Sequence, residues 1–421
     1  MIDRGKYVVN VRATAAFLLG LFSANNIIYC FVVGNTPIML INVFAAICFF
    51  IVLVTRPGDI ARAISCTSQD LRLTFLYITC SVLAMLVGSS RYQQAGLMGY
   101  IALLLNIMVL LLTIVYRDYR EDIEKGIFWG IVINICFVLV EFVMYRSGRI
   151  LSLRDLFPQN SSFSLQSLSK SFRPMGLFKE PGHLIRYIGV MMLIAWQYGK
   201  ETRNFWKYFY VIGGLLVFAV SRSSSVAYFL LGLFIFLMRS VAQANGRISK
   251  KSVAYVVLGI LGIGILLFFG GGLLEALISG ITDFSLDDLG NSGRILGMNS
   301  TISVIRNNSI FGSGWNSIYR RLYESGFINR YVQGSYSVAL ELFAELGVGS
   351  IFYYYFLINK THRLFRAQHT ASDIAIASSM FVYLLLFCTT DYAFDGSVAL
   401  LLGITLVTLS ENREHEQQDN D

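Results

Sequence analysis

The sequence predicts an all-α, polytopic integral membrane protein with about twelve transmembrane helices. Three observations lead there. Hydrophobic residues make up 55% of the chain and charged residues only 14%, with a mean hydropathy of +0.60. Apolar runs near the ~20 residues that a bilayer core demands recur through most of the 421 residues. Cations cluster in alternate gaps between those runs. A β-barrel would show short alternating segments, and none is present. The length-based domain count does not transfer to such a chain, so residues 1–421 read as a single membrane domain.

Taken in order, helices are expected at 13–33, 36–54, 71–89, 95–116, 126–145, 183–199, 204–220, 224–240, 252–274, 336–358, 372–389 and 395–410. Arg4, Lys6 and Arg12 precede the first, and Arg56, Arg62 and Arg72 follow the second. Later gaps on the same side carry Arg117, Arg120 and Lys125, then Lys200, Arg203 and Lys207, then Arg239, Arg247, Lys250 and Lys251, and finally Lys360, Arg363 and Arg366. The short gaps on the other side hold only Arg91 and Arg222. By the positive-inside rule both termini are cytoplasmic. The acidic tail 411–421 reads as a disordered cytoplasmic segment.

Two outer loops are long, 146–182 and 275–335. The first carries Arg146, Arg149, Arg154, Lys170, Arg173 and Lys179 against Asp155 and Glu180. Topology does not require cations there, which points to an anionic ligand. The competing explanation is contact with anionic lipid headgroups.

The densest chemistry lies in RPMGLFKEPGHLIR at 173–186. It holds Arg173, Lys179, Glu180, His183 and Arg186, and two of the chain's five prolines, Pro174 and Pro181. Proline restricts its own φ and its predecessor's, so this stretch is bent into a defined shape. Cations beside a carboxylate and a histidine suit phosphate binding and proton transfer. Glu141, Arg186, Glu341, Glu345, Asp391 and Asp395 lie within or flanking the apolar runs, where ionisable groups face cavities or one another. The six cysteines form no CxxC pair and read as packing residues. No P-loop or Rossmann fingerprint is present, which argues against ATP-driven or nicotinamide chemistry.

Four short places resemble the family of O-antigen polymerases and O-antigen ligases. RPMGLFKEPGH at 173–183 is similar to the family's Arg-x-x-Gly…Glu-Pro pattern before a helix. SRSSSVA at 221–227 is similar to its Ser-Arg-small pattern. SGRILGMNSTISVIRNNSIFGSGW at 292–315 is similar to an Arg-led helix ending in a Phe-Gly-x-Gly turn. YSVALELFAELGVGSI at 336–351 is similar to the final Leu-x-Glu-x-Gly-x-x-Gly motif. The resemblance puts essential arginines at Arg173, Arg222 and Arg294. The ligase branch carries a His-Asn pair where this chain has Tyr336 and Ser337, which favours polymerase.

The resemblance implies a metal-independent, GT-C-like glycosyltransferase of the bacterial inner membrane. It would use oligosaccharides linked to undecaprenyl pyrophosphate at the periplasmic face, need no cofactor, and meet a chain-length regulator. Arg173, Arg222 and Arg294 would stabilise the leaving pyrophosphate, with Glu180 as the first candidate base and Glu345 and His183 next. Lys179, His183, Arg186, Arg306, Arg320, Arg321, Tyr336 and Glu345 are the candidate substrate-binding residues. The alternatives are an O-antigen ligase, a transporter of lipid-linked sugar and a non-catalytic scaffold.

Overall fold

A computed structural model describes residues 10–33, 36–87, 93–151, 153, 156–157, 173–196, 198, 202–220, 225–243, 289–307, 310–318, 321–322, 337–366, 370–390 and 395–418. The expected helix 252–274 lies outside the described residues.

Helix α1 spans Val11–Phe22 and starts at Asn10, whose side chain accepts from the N–H groups of Arg12 and Ala13. It ends eleven residues before the expected 33, at Ser23-Ala24-Asn25-Asn26. The Asn25 side chain donates to Phe22 O and accepts from Ile28 N–H, giving the backbone an alternative to the helix. The β-branched and aromatic residues that follow form an antiparallel hairpin of β1, Tyr29–Val33, and β2, Thr36–Met39, registered Tyr29 to Met39 and Val33 to Thr36.

The chain continues through α2 (Leu40–Thr55), α3 (Pro57–Cys66), α4 (Ser68–Val87), α5 (Gln93–Val115) and α6 (Arg120–Arg146). Beyond the first long loop come α7 (Pro181–Ile194), α8 (Asn204–Val220) and α9 (Ser225–Gln243). Then follow α10 (Leu289–Asn307), α11 (Val338–Leu346), α12 (Ile351–Arg366), α13 (Ala371–Thr389) and α14 (Gly396–Gln418). Helix α10 lies inside the second expected loop, and a 3-10 turn at Gly347–Ser350 divides the expected helix 336–358.

The centre is apolar on every side. Residues 187–195 of α7 and 396–410 of α14 are all buried, as is most of α13. Helix α13 packs on α7, α9 and α12, while α14 packs on α5. Buried tyrosine hydroxyls find partners there, Tyr187 with Ser23 at 2.9 Å and Tyr353 with Tyr383 at 3.1 Å. Helices α1 and α6 approach until their backbones touch. A methyl group on Gly126 would lie 2.0 Å from the Phe17 carbonyl oxygen, and one on Gly20 would lie 2.2 Å from that of Ile123. Gly126 and Gly130 are one helical turn apart, the small-residue spacing that permits such contact.

At the opposite end of α6 from the first long loop, Arg120 donates to Glu124 at 2.9 Å, to Glu411 at 3.0 Å and to Ser372. Arg117 meets Glu414 at 3.2 Å. These pairs join α6 to α13 and α14, and α14 continues as helix into the acidic tail expected to be disordered. Between α2 and α5, the buried Asn42 side chain donates to Asn106 at 2.7 Å. Asn106→Ala leaves that donor without its acceptor, at a cost of about 1–3 kcal/mol. Thermal unfolding should show a lower midpoint; an unchanged one would mean that water replaces the bond.

Among the described residues, three helical stretches are long and apolar enough to cross a membrane: Arg117–Arg146, Val338–Arg366 and Ala371–Thr389. A fourth is added if Leu40–Thr55 and Pro57–Ser65, bent by 105°, form one span. This corrects the expectation of a twelve-span, GT-C-like polytopic fold. The multi-pass inner-membrane topology with both termini cytoplasmic, which rested on that helix count, is corrected with it. The physical reason lies in what an apolar run reports. It shows that a helix is buried, not whether protein or lipid buries it. Several apolar helices are short, Val11–Phe22 and Pro181–Ile194 among them, and the second is enclosed by protein.

Candidate functional site

The site is organised by the bend 173–180, which has no regular secondary structure. Its amides are nevertheless paired. Met175 and Gly176 donate to Glu141 Oε2 at 3.0 and 3.1 Å. Leu177 donates to Asn134 Oδ1 at 2.8 Å, and Lys179 to Asn26 Oδ1 at 2.8 Å. The Asn26 N–H returns a bond to Leu177 O at 3.1 Å. Asn134 and Glu141 stand two turns apart on α6 and so share a face. Asn134 also donates to Ala24 O and Gly130 O at 2.8 and 2.9 Å, which locks its amide orientation. Gly176 has φ +54, and a β-carbon there would lie 2.6 Å from Asn134 Oδ1. Side chains supply what a helix or strand otherwise would.

This anchoring sets Arg173 beside the end of α6. Gly148, at φ +75, closes that helix, and Arg149 N–H turns back to Met144 O at 2.9 Å. Arg149 and Arg173 then line one small cleft together with Glu141, Tyr145, Ile150, Leu151 and Met175. Two guanidinium groups supply full positive charges. They are opposed by the Glu141 carboxylate and by about half a negative charge from the α6 C-terminus. The balance favours an anion bound on the arginine side, and guanidinium geometry suits a phosphate.

Four further expected residues follow on the same bend and the first turn of α7. Glu180 is the extended residue before Pro181, at the helix N-cap position, and its carboxylate lies 4.0 Å from His183 Nε2. The Arg186 guanidinium folds back over Gly182, where a β-carbon would lie 3.1 Å from Nη2. Lys179 acts electrostatically on Asp395, whose carboxyl accepts from Ser397 and Val398 at the start of α14. Burial pushes that carboxyl above the ordinary aspartate value, while Lys179 acts in the opposite direction.

The third and fourth motifs interlock with each other. Ser313 N–H donates to Ala344 O at 2.7 Å, Gly314 N–H to Glu345 O at 3.1 Å, and Val348 N–H to Ile310 O at 3.0 Å. The buried Glu345 carboxylate accepts from Ile318 N–H at 3.1 Å and also from the amides of Asn316 and Ser317. Arg321 donates to Ser313 O at 2.9 Å. Glu345 and Arg321 therefore hold a turn in place. Trp315 is buried against Tyr77.

Arg306 is exposed in the last turn of α10. Arg294 lies on α10, but its side chain is outside the described residues, as are Arg222, Arg320 and Tyr336 altogether. The structure thus brings Arg173, Lys179, Glu180, His183 and Arg186 onto one bend and helix start. It adds Tyr145, Arg149 and Glu141 to Arg173. The sequence signals for these were the cation-rich first loop and a carboxylate late in an apolar run.

The likeness to O-antigen polymerases and ligases does not survive the helix count. The polymerase reading, the ligase alternative and the transporter alternative each presupposed the many-spanned architecture corrected above. No protein-family model matches the chain, and no curated protein matches it in sequence.

Proposed function

We propose that this chain holds a lipid-linked phosphate or pyrophosphate in the cleft between Arg149 and Arg173. The observation that carries the reading is that two arginines from separate segments line one cleft together with Tyr145. A lipid bilayer is the matching environment. Phe75 and Leu86 on α4, Val143 on α6, Phe205 on α8 and Phe234 on α9 are all exposed large apolar side chains. In this reading lipid covers them, and the three long apolar stretches cross it.

The test is a titration of the detergent-solubilised protein with farnesyl pyrophosphate and with farnesol. The pyrophosphate should bind at least tenfold more tightly, and Arg149→Ala or Arg173→Ala should each weaken it about tenfold, as loss of a charged hydrogen bond does. Equal affinity for the two lipids, or variants that bind like the parent, would remove the reading.

A further inference from the structure

Glu141 is the ionisable residue of the cleft whose role the anion alone does not explain. A carboxylate beside two arginines weakens an anion site. If Glu141 served only to hold the bend, an asparagine or glutamine would supply the same acceptor without that opposing charge, as Asn134 and Asn26 do for Leu177 and Lys179. The geometry divides the carboxylate in two. Oε2 takes both amide hydrogens, from Met175 and Gly176, and this fixes the plane and direction of the group. Glu141 also lines the cleft. Oε1 takes neither amide hydrogen, and in the ionised carboxylate it can only accept one.

We infer that Glu141 Oε1 accepts a hydrogen bond from a hydroxyl of the group esterified to the phosphate bound by Arg149 and Arg173. The site then takes a hydroxyl-bearing phosphate ester, such as a sugar phosphate, rather than phosphate as such. Arginines recognise the anion, and the carboxylate recognises what is attached to it. A carboxylate suits this task because a charged acceptor binds a hydroxyl about twice as strongly as a neutral one. It also repels a bare pyrophosphate, which carries more charge and no hydroxyl, so the discrimination has both an attractive and a repulsive part. The inference rests on the phosphate reading above.

The experiment compares three ligands on the full chain in detergent: farnesyl pyrophosphate, the same lipid carrying glucose on the pyrophosphate, and that glucoside with its hydroxyls methylated. In the parent protein the glucoside should bind about tenfold more tightly than the bare lipid, and methylation should erase the advantage. Glu141→Gln is the informative variant. Its Oε1 can still accept from the two amides, while its amide nitrogen presents a donor where an acceptor stood. The ratio of glucoside to bare-lipid affinity should fall from about ten to about one in a protein that melts as the parent does. If the methylated glucoside keeps the full advantage in the parent protein, or the ratio survives in Glu141→Gln, the inference is overturned and the phosphate reading stands. If farnesyl pyrophosphate binds no better than farnesol, both are overturned. The methylated ligand decides the matter on the parent protein, whether or not the variant folds.

Discussion

Glu141→Ala should lower the thermal midpoint by more than Arg149→Ala or Arg173→Ala, and should weaken pyrophosphate binding by less than either. The reason is that one side chain has two duties. Its Oε2 is the acceptor for the Met175 and Gly176 amides, which lie buried below the cleft. Truncation leaves both donors without it, and each buried unsatisfied donor costs about 1–3 kcal/mol. The remaining anchors, Asn134 and Asn26, hold Leu177 and Lys179 but nothing closer to Arg173. The bend would loosen at its arginine end, and an arginine held less firmly loses part of its phosphate affinity to conformational entropy. Thermal unfolding and the farnesyl pyrophosphate titration measure the two effects separately. A lower midpoint with full affinity would show that Arg173 is placed by something other than the Glu141 anchor.

Gly312→Ala should be among the most damaging single methyl additions. Two costs combine there. The residue has φ +71, where an L side chain is strained by about 1–2 kcal/mol. Its β-carbon would also lie 2.1 Å from the Glu345 carbonyl oxygen and 2.3 Å from the carbonyl carbon. Those atoms are backbone and cannot swing aside. The turn would have to lift off α11, which breaks the bonds from Ser313 and Gly314 and the three amide bonds to Glu345. A loss above about 3 kcal/mol is expected from strain and broken buried hydrogen bonds together. Gly148→Ala is the control. Its φ is +75, nearly the same, but nothing lies within 4 Å of the added carbon. It should cost only the conformational term, about 1–2 kcal/mol. Melting both variants in the same detergent isolates the contact; equal losses would mean that the interlock contributes nothing beyond φ.

The four motifs were legible as motifs because each contains residues with few local uses. Pro174 and Pro181 marked a bend, and the bend is there. The Phe-Gly-x-Gly stretch at 311–314 read as a turn, and Gly312 and Gly314 have positive φ; so does Gly347, which was expected inside a helix. Their partners were not legible. That Gly312 lies on Glu345 of a helix some thirty residues later follows from packing, and spacing along the chain does not encode it. The expected roles of Glu345 and Arg321 failed to foresee this for the same reason. A carboxylate on an apolar helix satisfies its burial by any adjacent donor, and here the donors are backbone amides.

The amino-acid sequence alone determined that the chain is helical and apolar, that its charges are concentrated in gaps, and that residues 173–186 form a bent, cation-rich entry to a helix. Those properties are local, because they depend on side-chain chemistry and on φ restrictions within a few residues. Only the tertiary structure decided where the helices begin and end, so that among the described residues three stretches, or four with the bent pair, rather than twelve have the length and composition to cross a membrane. It alone brought Arg149, Arg173 and Glu141 to one cleft. Hydrophobic burial is non-directional and leaves partners unspecified. The hydrogen bonds that Glu141, Asn134 and Asn26 accept are directional, and they fix which cations meet.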